Sequence, residues 1–321
     1  MKTKILQISL LLVGMLLGYL LSQYTQKENL AFGLKRQGEY QFINPLLDVI
    51  DEEEFPQELK PFKSKVEKII GQQVEAGNAN RVSVYFRDLN NGPWFGINEK
   101  DGYLPASLLK VPLMMNYYKE AEKNPGILND KIVYRRLIDN LDQRYKPSQQ
   151  AEVGKEYTAE ELIELMIKYS DNNSLALLVE HFDALGKSRL GIFKSLDVNF
   201  DLKPESEISV KNYSTFFRIL FNSSYLSQYY SEKALEILAD TEFDSGIRQG
   251  VPKEIAVAEK FGERQATEDE VSLHACGIVY YPKHPYLLCM MTSGKNYDRL
   301  SSAIKTISET VYGEVKNQTK E

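Results

Sequence analysis

Hydrophobic positions at the start of the folded region follow first a helical and then an alternating pattern. Apolar residues recur with a helical period from Leu59 to Val74, and every second residue from Val82 to Phe86 is apolar. A turn sequence, Asn90 to Pro93, separates this predicted strand from a second one that begins at Trp94 to Ile97. The pattern therefore predicts a helix followed by a β-hairpin.

The far end of the chain repeats the same element types in reverse order. Two strands are predicted at about 272–281 and 286–292, and a last helix carries one apolar stripe formed by Leu300, Ile304, Ile307 and Val311. Between the two ends the spacing is mostly helical, with a capping box at Thr158 to Glu161. We therefore predict an α/β (α+β) fold, in which an antiparallel sheet flanked by helices is built from both chain ends. A mostly helical domain is inserted at about 107–250.

The first 24 residues differ in character from the rest. Lys2 and Lys4 precede an apolar run that reaches Tyr24, long enough for about 30 Å of helix. We predict that residues 1–24 are a single-pass transmembrane helix in the cell membrane, with the folded part extracytoplasmic. The alternative is a cleaved signal peptide, but residues 19–24 lack a small-residue cleavage site.

The anchor prediction divides the remaining chain into three parts. Residues 25–55 read as a polar stalk or linker, and residues 56–316 as the folded domain. Residues 317–321 would form a short tail.

Composition excludes several classes of function. Of the 321 residues, 43% are hydrophobic and 26% charged, which is ordinary for a globular protein with a sizeable core. The net charge is −6, and the sequence shows neither a basic face nor zinc-finger spacing, so we predict no nucleic-acid partner. No spacing for a metal site or a nucleotide cofactor is present, so none is predicted. His274 lies on an apolar strand and is predicted to be a hydrogen-bonded core residue.

The two cysteines, Cys276 and Cys289, lie on the two strands before the last helix. If Tyr281 faces Tyr286 across the turn, the cysteines are diagonal neighbours about 7–8 Å apart. That separation is too large for an unstrained disulfide. We therefore predict two buried free thiols.

A serine and a lysine three residues apart open the helix after the second strand. The spacing places the Ser107 hydroxyl and the Lys110 amine on one helical face, where a neutral amine can accept the proton of the hydroxyl. The helix N-terminus also favours an anion formed by attack on a carbonyl. The spacing alone is weak, because Ser302 and Lys305 share it on the terminal helix.

Two further segments add to this pair. Residues 170–172, Ser-Asp-Asn, follow the capped helix, although either of the last two residues is also suited to be an ordinary N-cap. Residues 260–262, Lys-Phe-Gly, follow a predicted strand at 255–259. The alternative there is an edge lysine near a turn glycine, as in residues 100–102.

In combination, these segments resemble the motif set of class A β-lactamases and their penicillin-binding transpeptidase relatives, S-x-x-K, S-D-N and K-T-G. The order of the motifs and of the predicted elements is similar, and the resemblance covers about residues 56–316. It implies a serine hydrolase that acts through an acyl-enzyme. The implied substrates are β-lactams or the D-Ala-D-Ala-like peptide ends of peptidoglycan.

The resemblance also implies a role for each matching residue. Ser107 would be the acylated nucleophile and Lys110 its base, while Ser170 would relay a proton to the leaving nitrogen. Asn172 would bind the substrate amide. Lys260 would attract the substrate carboxylate and help to keep Lys110 neutral by charge repulsion.

The implied oxyanion hole consists of two backbone N–H groups, those of Ser107 and of Glu263, the residue after Gly262. Only the N–H of Glu263 is needed there, so its side chain is compatible with the role.

The chain departs from the family pattern in two ways. Phe261 replaces the hydroxyl residue of K-T-G, and Arg264 is a candidate substitute as a carboxylate donor. The segment between Ser170 and Lys260 is short, and it lacks the E-x-x-L-N motif whose glutamate activates the deacylating water. Its nearest analogue, Glu205, reads as a solvated loop charge. The sequence thus predicts slow β-lactam hydrolysis. Two alternatives remain, a non-hydrolysing peptidoglycan-binding module and a penicillin-binding DD-peptidase.

Overall fold

The computed structural model describes residues 40–44, 62–90, 92–136 and 143–319. Within these ranges no helix has both the length and the apolar character needed to cross a bilayer. The predicted anchor, residues 1–24, lies outside the described residues, as does most of the predicted stalk.

The elements follow one another along the chain as short groups of strands and helices. The first are helix α1 (Lys63–Glu75), strands β1 (Arg81–Asp88), β2 (Trp94–Ile97) and β3 (Gly102–Tyr103), helix α2 (Lys110–Ala121), strands β4 (Lys131–Val133) and β5 (Glu156–Thr158), and helices α3 (Ala159–Lys168) and α4 (Asn172–Ala184). They are followed by helix α5 (Gly191–Ser195), strand β6 (Ile208–Ser209), helices α6 (Val210–Phe221) and α7 (Gln228–Ala239), strands β7 (Val257–Gln265), β8 (Val271–Val279) and β9 (Tyr286–Gly294), and helix α8 (Tyr297–Gln318). Helix α8 thus includes the first two residues of the predicted tail.

A five-stranded antiparallel sheet combines both ends of the chain, in the order β2-β1-β9-β8-β7. The alternating residues of β1 bury Val82, Val84 and Phe86 on the face that packs against α1 and α8. The apolar stripe predicted for the last helix is fully buried on the same side. The predicted antiparallel sheet and its flanking helices are therefore confirmed, and helices α2 to α7 lie in the chain between strands β2 and β7 of that sheet.

The other face of the sheet packs against the helical insertion and forms a second core with it. Residues 40–44 also belong to this core, since Phe42 and Ile43 are buried. The carboxylate of Glu232 on α7 accepts the backbone N–H groups of Phe42 and Ile43 at 2.7–2.8 Å. This short segment is thus fixed to the helical insertion by backbone hydrogen bonds.

The prediction of two free thiols was wrong, because Cys276 and Cys289 form a disulfide. The hairpin register differs by two residues from the predicted one, with Val279 opposite Tyr286 and Cys276 directly opposite Cys289. The β8–β9 pairing ends at Val279, and the N–H of the next residue, Tyr280, bonds to Ala256 O beside β7 at 3.0 Å. Residues 280–285 consequently form a six-residue connection, and the cysteine side chains share one face of the sheet.

Candidate active site

Ser107 lies in a single 3₁₀ turn, Ala106–Leu109, that leads directly into α2. Ala106, just before it, has a φ of 50°, a left-handed conformation that is costly for a residue with a Cβ. Two buried side chains fix the turn from outside. Tyr213 donates its hydroxyl to Leu108 O at 2.8 Å, and His274 Nε2 donates to Leu104 O at 3.1 Å.

His274 is the buried, hydrogen-bonded core residue that the sequence predicted. Its Nδ1 accepts the N–H of Thr292 at 3.2 Å, so its Nε2 carries the proton that bonds to Leu104 O. Burial lowers the pKa of His274 to about 4, and the imidazole is therefore neutral at neutral pH.

The third motif has a glycine at position 262 because strand β7 passes very close to the turn that carries Ser107. A Cβ at this position would lie 2.8 Å from Pro105 O and 3.0 Å from Leu108 Cγ. Only a residue without a side chain allows this approach. Gly262 is therefore a positioning residue that sets the distance between β7 and the nucleophile turn.

Lys110, the first residue of α2, is fully buried and points toward the loop that follows α3. Its Nζ forms hydrogen bonds with Ser170 O at 2.6 Å, Ser170 Oγ at 3.0 Å and Asn172 Oδ1 at 2.8 Å. The Ser107 hydroxyl forms no hydrogen bond with any described residue and is partly accessible to solvent. A partly accessible serine hydroxyl three residues before a buried amine is compatible with a nucleophile and its base.

Ser170 connects the two lysines of the site. Its Oγ also accepts a hydrogen bond from Lys260 Nζ at 2.9 Å, and Lys260 donates to Phe261 O at 3.1 Å. Ser170 has a φ of 56°, so it is a second left-handed non-glycine residue at this site. The structure thus joins Lys110, Ser170, Asn172 and Lys260 in one hydrogen-bonded network, and Ser107 lies three residues before Lys110 in the chain.

Both lysine amines are buried with no ion pair among the described residues, and burial lowers their basicity. Desolvation lowers the pKa of Lys110 to about 7, against weaker opposing effects of Asp171 and Glu263. Desolvation and the charge of Lys110 together lower the pKa of Lys260 well below its usual range. The repulsion acts between the two amines, so protonation of one favours the neutral form of the other.

Asp171 has a structural role rather than a chemical one. Its buried carboxylate caps α4 by accepting the N–H groups of Asn173 and Ser174, and it also accepts the N–H of Ala151 at 3.0 Å. The N-cap interpretation of this residue is therefore confirmed. The cap fixes the turn from which Ser170 and Asn172 reach Lys110.

The edge position of β7 determines which backbone groups face the site. In an antiparallel pair, alternate residues direct their N–H and C=O groups toward the partner strand. The bonds Tyr280 N–H to Ala256 O and Ala266 N–H to Glu270 O assign the even-numbered residues of β7 to β8. The N–H of Glu263 consequently points out from the free edge, where an oxyanion hole requires a donor.

The side chain of Glu263 makes a contact that the sequence did not predict. Its carboxylate oxygens accept the backbone N–H groups of Arg144 and Tyr145, each at 3.1 Å. Next to them, Gln143 Nε2 donates to Ser170 O at 3.3 Å. Residues 143–145 are therefore part of the site, although no motif distinguishes them and only the folded chain places them there.

Phe261, which replaces the usual hydroxyl residue, forms part of an aromatic cluster. Its ring stacks on Phe243 with 3.8 Å between centroids and meets Tyr145 edge-on at 5.7 Å. Arg264 donates to Pro204 O at 3.4 Å, on the loop before β6. Phe261 therefore offers no hydroxyl beside Lys260, and the guanidinium of Arg264 is bonded to the loop before β6 instead.

Glu205 is exposed on this loop, and no hydrogen bond or ion pair joins it to a described site residue. The interpretation of Glu205 as a solvated loop charge agrees with this exposure. Among the described residues, no carboxylate forms a hydrogen bond with the Ser107 hydroxyl. No general base can therefore be identified there by its contacts.

Comparison with solved structures gives the same fold at low sequence identity. PBP-A matches with a TM-score of 0.67 and 21% identity, covering 82% of this chain and 100% of PBP-A. A β-lactamase from Chitinophaga pinensis matches with a TM-score of 0.67 and 18% identity, covering 78% of this chain and 99% of that one. An ancestral class A β-lactamase gives 0.66 and 18%, with 77% and 99% covered.

The sequence itself matches a family model across the whole folded domain. The model is that of the Beta-lactamase enzyme family, and the match spans residues 61–315, from just before α1 to near the end of α8. Ser107, Lys110, Ser170 and Lys260 all lie inside the match. The chain therefore belongs to the β-lactamase enzyme family.

Proposed function

We propose that this protein is a serine hydrolase that is acylated at Ser107 by β-lactams or D-Ala-D-Ala-like peptide ends. The observation that supports this most is the convergence of two buried lysine amines on Ser170 Oγ, at 3.0 and 2.9 Å, with the partly accessible Ser107 three residues before one of them. Burying two amines without a carboxylate partner is costly for folding. Such an arrangement is characteristic of a site that uses a neutral amine as a base.

In the proposed acylation, Ser107 Oγ attacks the carbonyl carbon and gives its proton to neutral Lys110. The bond between the carbonyl carbon and the amide nitrogen then breaks. The leaving nitrogen takes a proton from Ser170 Oγ, which regains one from Lys110 across their 3.0 Å hydrogen bond. The developing oxyanion would be stabilised by the N–H groups of Ser107 and Glu263. Lys260 keeps the Ser170 hydroxyl oriented through its 2.9 Å hydrogen bond.

Deacylation should be the slow half-reaction. It needs a water molecule held against the ester and a base within hydrogen-bonding reach of that water. Glu205 is exposed and is not bonded to the site, which supports the absence of such a base. A missing general base typically costs about 10²–10⁴-fold in rate. We therefore expect an acyl-enzyme that accumulates, as in penicillin-binding DD-peptidases exposed to penicillin.

One solved structure is relevant to this expectation. A variant of PBP-A is described as an acyl-enzyme complex with penicillin G, and it shares 20% identity with this chain at a TM-score of 0.66. The match covers 82% of this chain and 100% of the PBP-A variant. By analogy, penicillin G is a suitable first probe for Ser107.

Intact-protein mass spectrometry after incubation with penicillin G tests the proposal. We expect the mass of one penicillin on the parent protein and no addition to Ser107→Ala. Stopped-flow hydrolysis of a chromogenic cephalosporin should then show a burst followed by a slow steady state. Labelling of Ser107→Ala at the parent level would refute the nucleophile. A parent protein that is never labelled would instead favour a non-hydrolysing peptidoglycan-binding module.

We further propose that residues 1–24 hold the folded domain at the outer side of the cell membrane. The apolar run and the two preceding lysines support this topology. N-terminal sequencing of the membrane-extracted protein tests it. A mature N-terminus between residues 20 and 30 would show that the segment is a cleaved signal peptide.

A further inference from the structure

Glu263 places a carboxylate at the edge of the site. Because its N–H faces the free edge of β7, its Cα lies beside the position proposed for the reacting carbonyl. The side chain is partly buried, and both of its oxygens accept backbone N–H groups, those of Arg144 and Tyr145 at 3.1 Å. The two N–H groups favour the ionised carboxylate, whereas partial burial acts in the opposite sense and raises the pKa of Glu263 above its ordinary value.

This carboxylate links the two sides of the site. Strand β7 carries it, while the N–H groups that it binds belong to the segment whose Gln143 donates to Ser170 O at 3.3 Å. A substrate that reaches Ser107 along the edge of β7 must therefore pass beside Glu263. Its functional groups will be attracted or repelled by that charge.

The charge of Glu263 also acts on the two lysines. Its attraction raises the proton affinity of both Lys110 and Lys260, which shows that the carboxylate lies within electrostatic reach of each amine. A negative charge that interacts with Lys260 reduces the positive potential available to an anionic substrate group. The carboxylate of Glu263 thus competes with a substrate carboxylate for the positive charge that Lys260 carries when it is protonated.

Neither of the neighbouring β7 side chains, Phe261 and Arg264, is placed to compensate for this loss at the described edge. Phe261, two residues away on the same face of the strand, stacks with Phe243 and Tyr145 and offers no donor. The guanidinium of Arg264 donates to Pro204 O. At these positions the side chains of β7 therefore combine an aromatic ring with the carboxylate of Glu263.

From these contacts we propose that Glu263 is a specificity-determining residue, which selects acyl donors with an uncharged group beside the scissile bond over those with a carboxylate there. Penicillins and D-Ala-D-Ala ends carry that carboxylate, whereas their esters and amides do not. This inference rests on the proposed function, because it concerns which substrates acylate Ser107.

The test compares penicillin G with its methyl ester, two substrates that differ only in that charge. Second-order rate constants for acylation of Ser107 are measured by time-resolved intact mass spectrometry on the parent and on Glu263→Gln. We expect the acid-to-ester ratio of rate constants to rise about tenfold in the variant, and the rise to shrink at high salt. Glu268→Gln removes one charge from the exposed turn between β7 and β8 and should leave the ratio unchanged.

Three results would overturn the inference. An equal ratio in parent and Glu263→Gln would show that the charge does not select substrates. Parallel loss of both rate constants would show that Glu263 only holds residues 143–145 in place. If neither substrate adds mass to the parent, the proposed function itself fails, and this inference fails with it. Thermal melting verifies that the variant folds, and Glu263→Ser replaces Glu263→Gln if it does not.

Discussion

Replacing Gly262 by alanine is the most direct test of how the nucleophile turn is positioned. The new Cβ would lie 2.8 Å from Pro105 O and 3.2 Å from Leu108 N, both atoms of the backbone on either side of Ser107. Ordinary van der Waals contact for a Cβ begins at 3.4 Å. The turn and β7 must therefore move apart by roughly 0.6 Å to admit the methyl group.

The expected cost follows from that displacement. A misplacement of about 1 Å in a catalytic group costs about 100-fold in rate, so a shift of roughly 0.6 Å predicts a loss of about tenfold or more in acylation. Overpacking a closely packed contact also costs about 1–3 kcal/mol of stability. Acylation should suffer more than folding, because the strain is concentrated at Ser107 and at the Glu263 N–H next to Gly262.

The assay measures the acylation rate constant with fluorescent penicillin, together with the unfolding free energy from urea denaturation. Gly313→Ala is the matched control, because a Cβ at this position in α8 meets no atom within 4 Å. The control should acylate at the parent rate and gain about 0.5–1 kcal/mol from improved helix propensity. If Gly262→Ala acylates like the parent at unchanged stability, β7 does not approach the turn as described, and the positioning argument is refuted.

Three further predictions concern protonation and the disulfide. Acylation of Ser107 should accelerate as pH rises to about 7 and then level off, because Lys110 must be neutral to accept the proton and its pKa is about 7. A rate constant that is independent of pH between 5 and 9 would exclude Lys110 as the base. His274 has a pKa of about 4 when folded and about 6.5 when unfolded, so the unfolded chain binds the extra proton first as pH falls. The unfolding free energy should therefore drop by about 3 kcal/mol between pH 6.5 and pH 4. Urea denaturation of His274→Gln should lack that part of the pH dependence. An identical pH profile in variant and parent would contradict the role of His274. The Cys276–Cys289 disulfide joins residues separated by 13 positions, and its reduction should lower the unfolding free energy by about 3 kcal/mol. Urea denaturation curves that coincide with and without reductant would show that the bond does not form.

The sequence predicted those features that depend on short-range pattern. The alternation in β1, the apolar stripe of α8 and the capping box at Thr158 each specify an element locally, and the structure contains all three. The motif residues Ser107 and Ser170 were also predicted, because chemistry requires particular residue types at particular spacings.

Features set by long-range contacts could not be predicted in the same way. The β8–β9 hairpin has a six-residue connection, residues 280–285, which a local reading of the Pro-Lys-His-Pro turn did not predict. A shift of two residues preserves the inward and outward alternation, so the hydrophobic pattern fits either register equally well. The contact of Glu263 with Arg144 and Tyr145 joins residues far apart in the sequence, and no periodicity reports it.

The left-handed backbone at Ala106 and Ser170 has a consequence for how this protein can evolve. Each position costs of order 1–3 kcal/mol relative to a relaxed residue, and glycine would remove most of that cost. Selection for thermal stability alone would therefore favour glycine at both positions. At Ser170, however, glycine deletes the hydroxyl that both lysines bind. At Ser170, a substitution that raises thermal stability would therefore remove a group on which the proposed reaction depends.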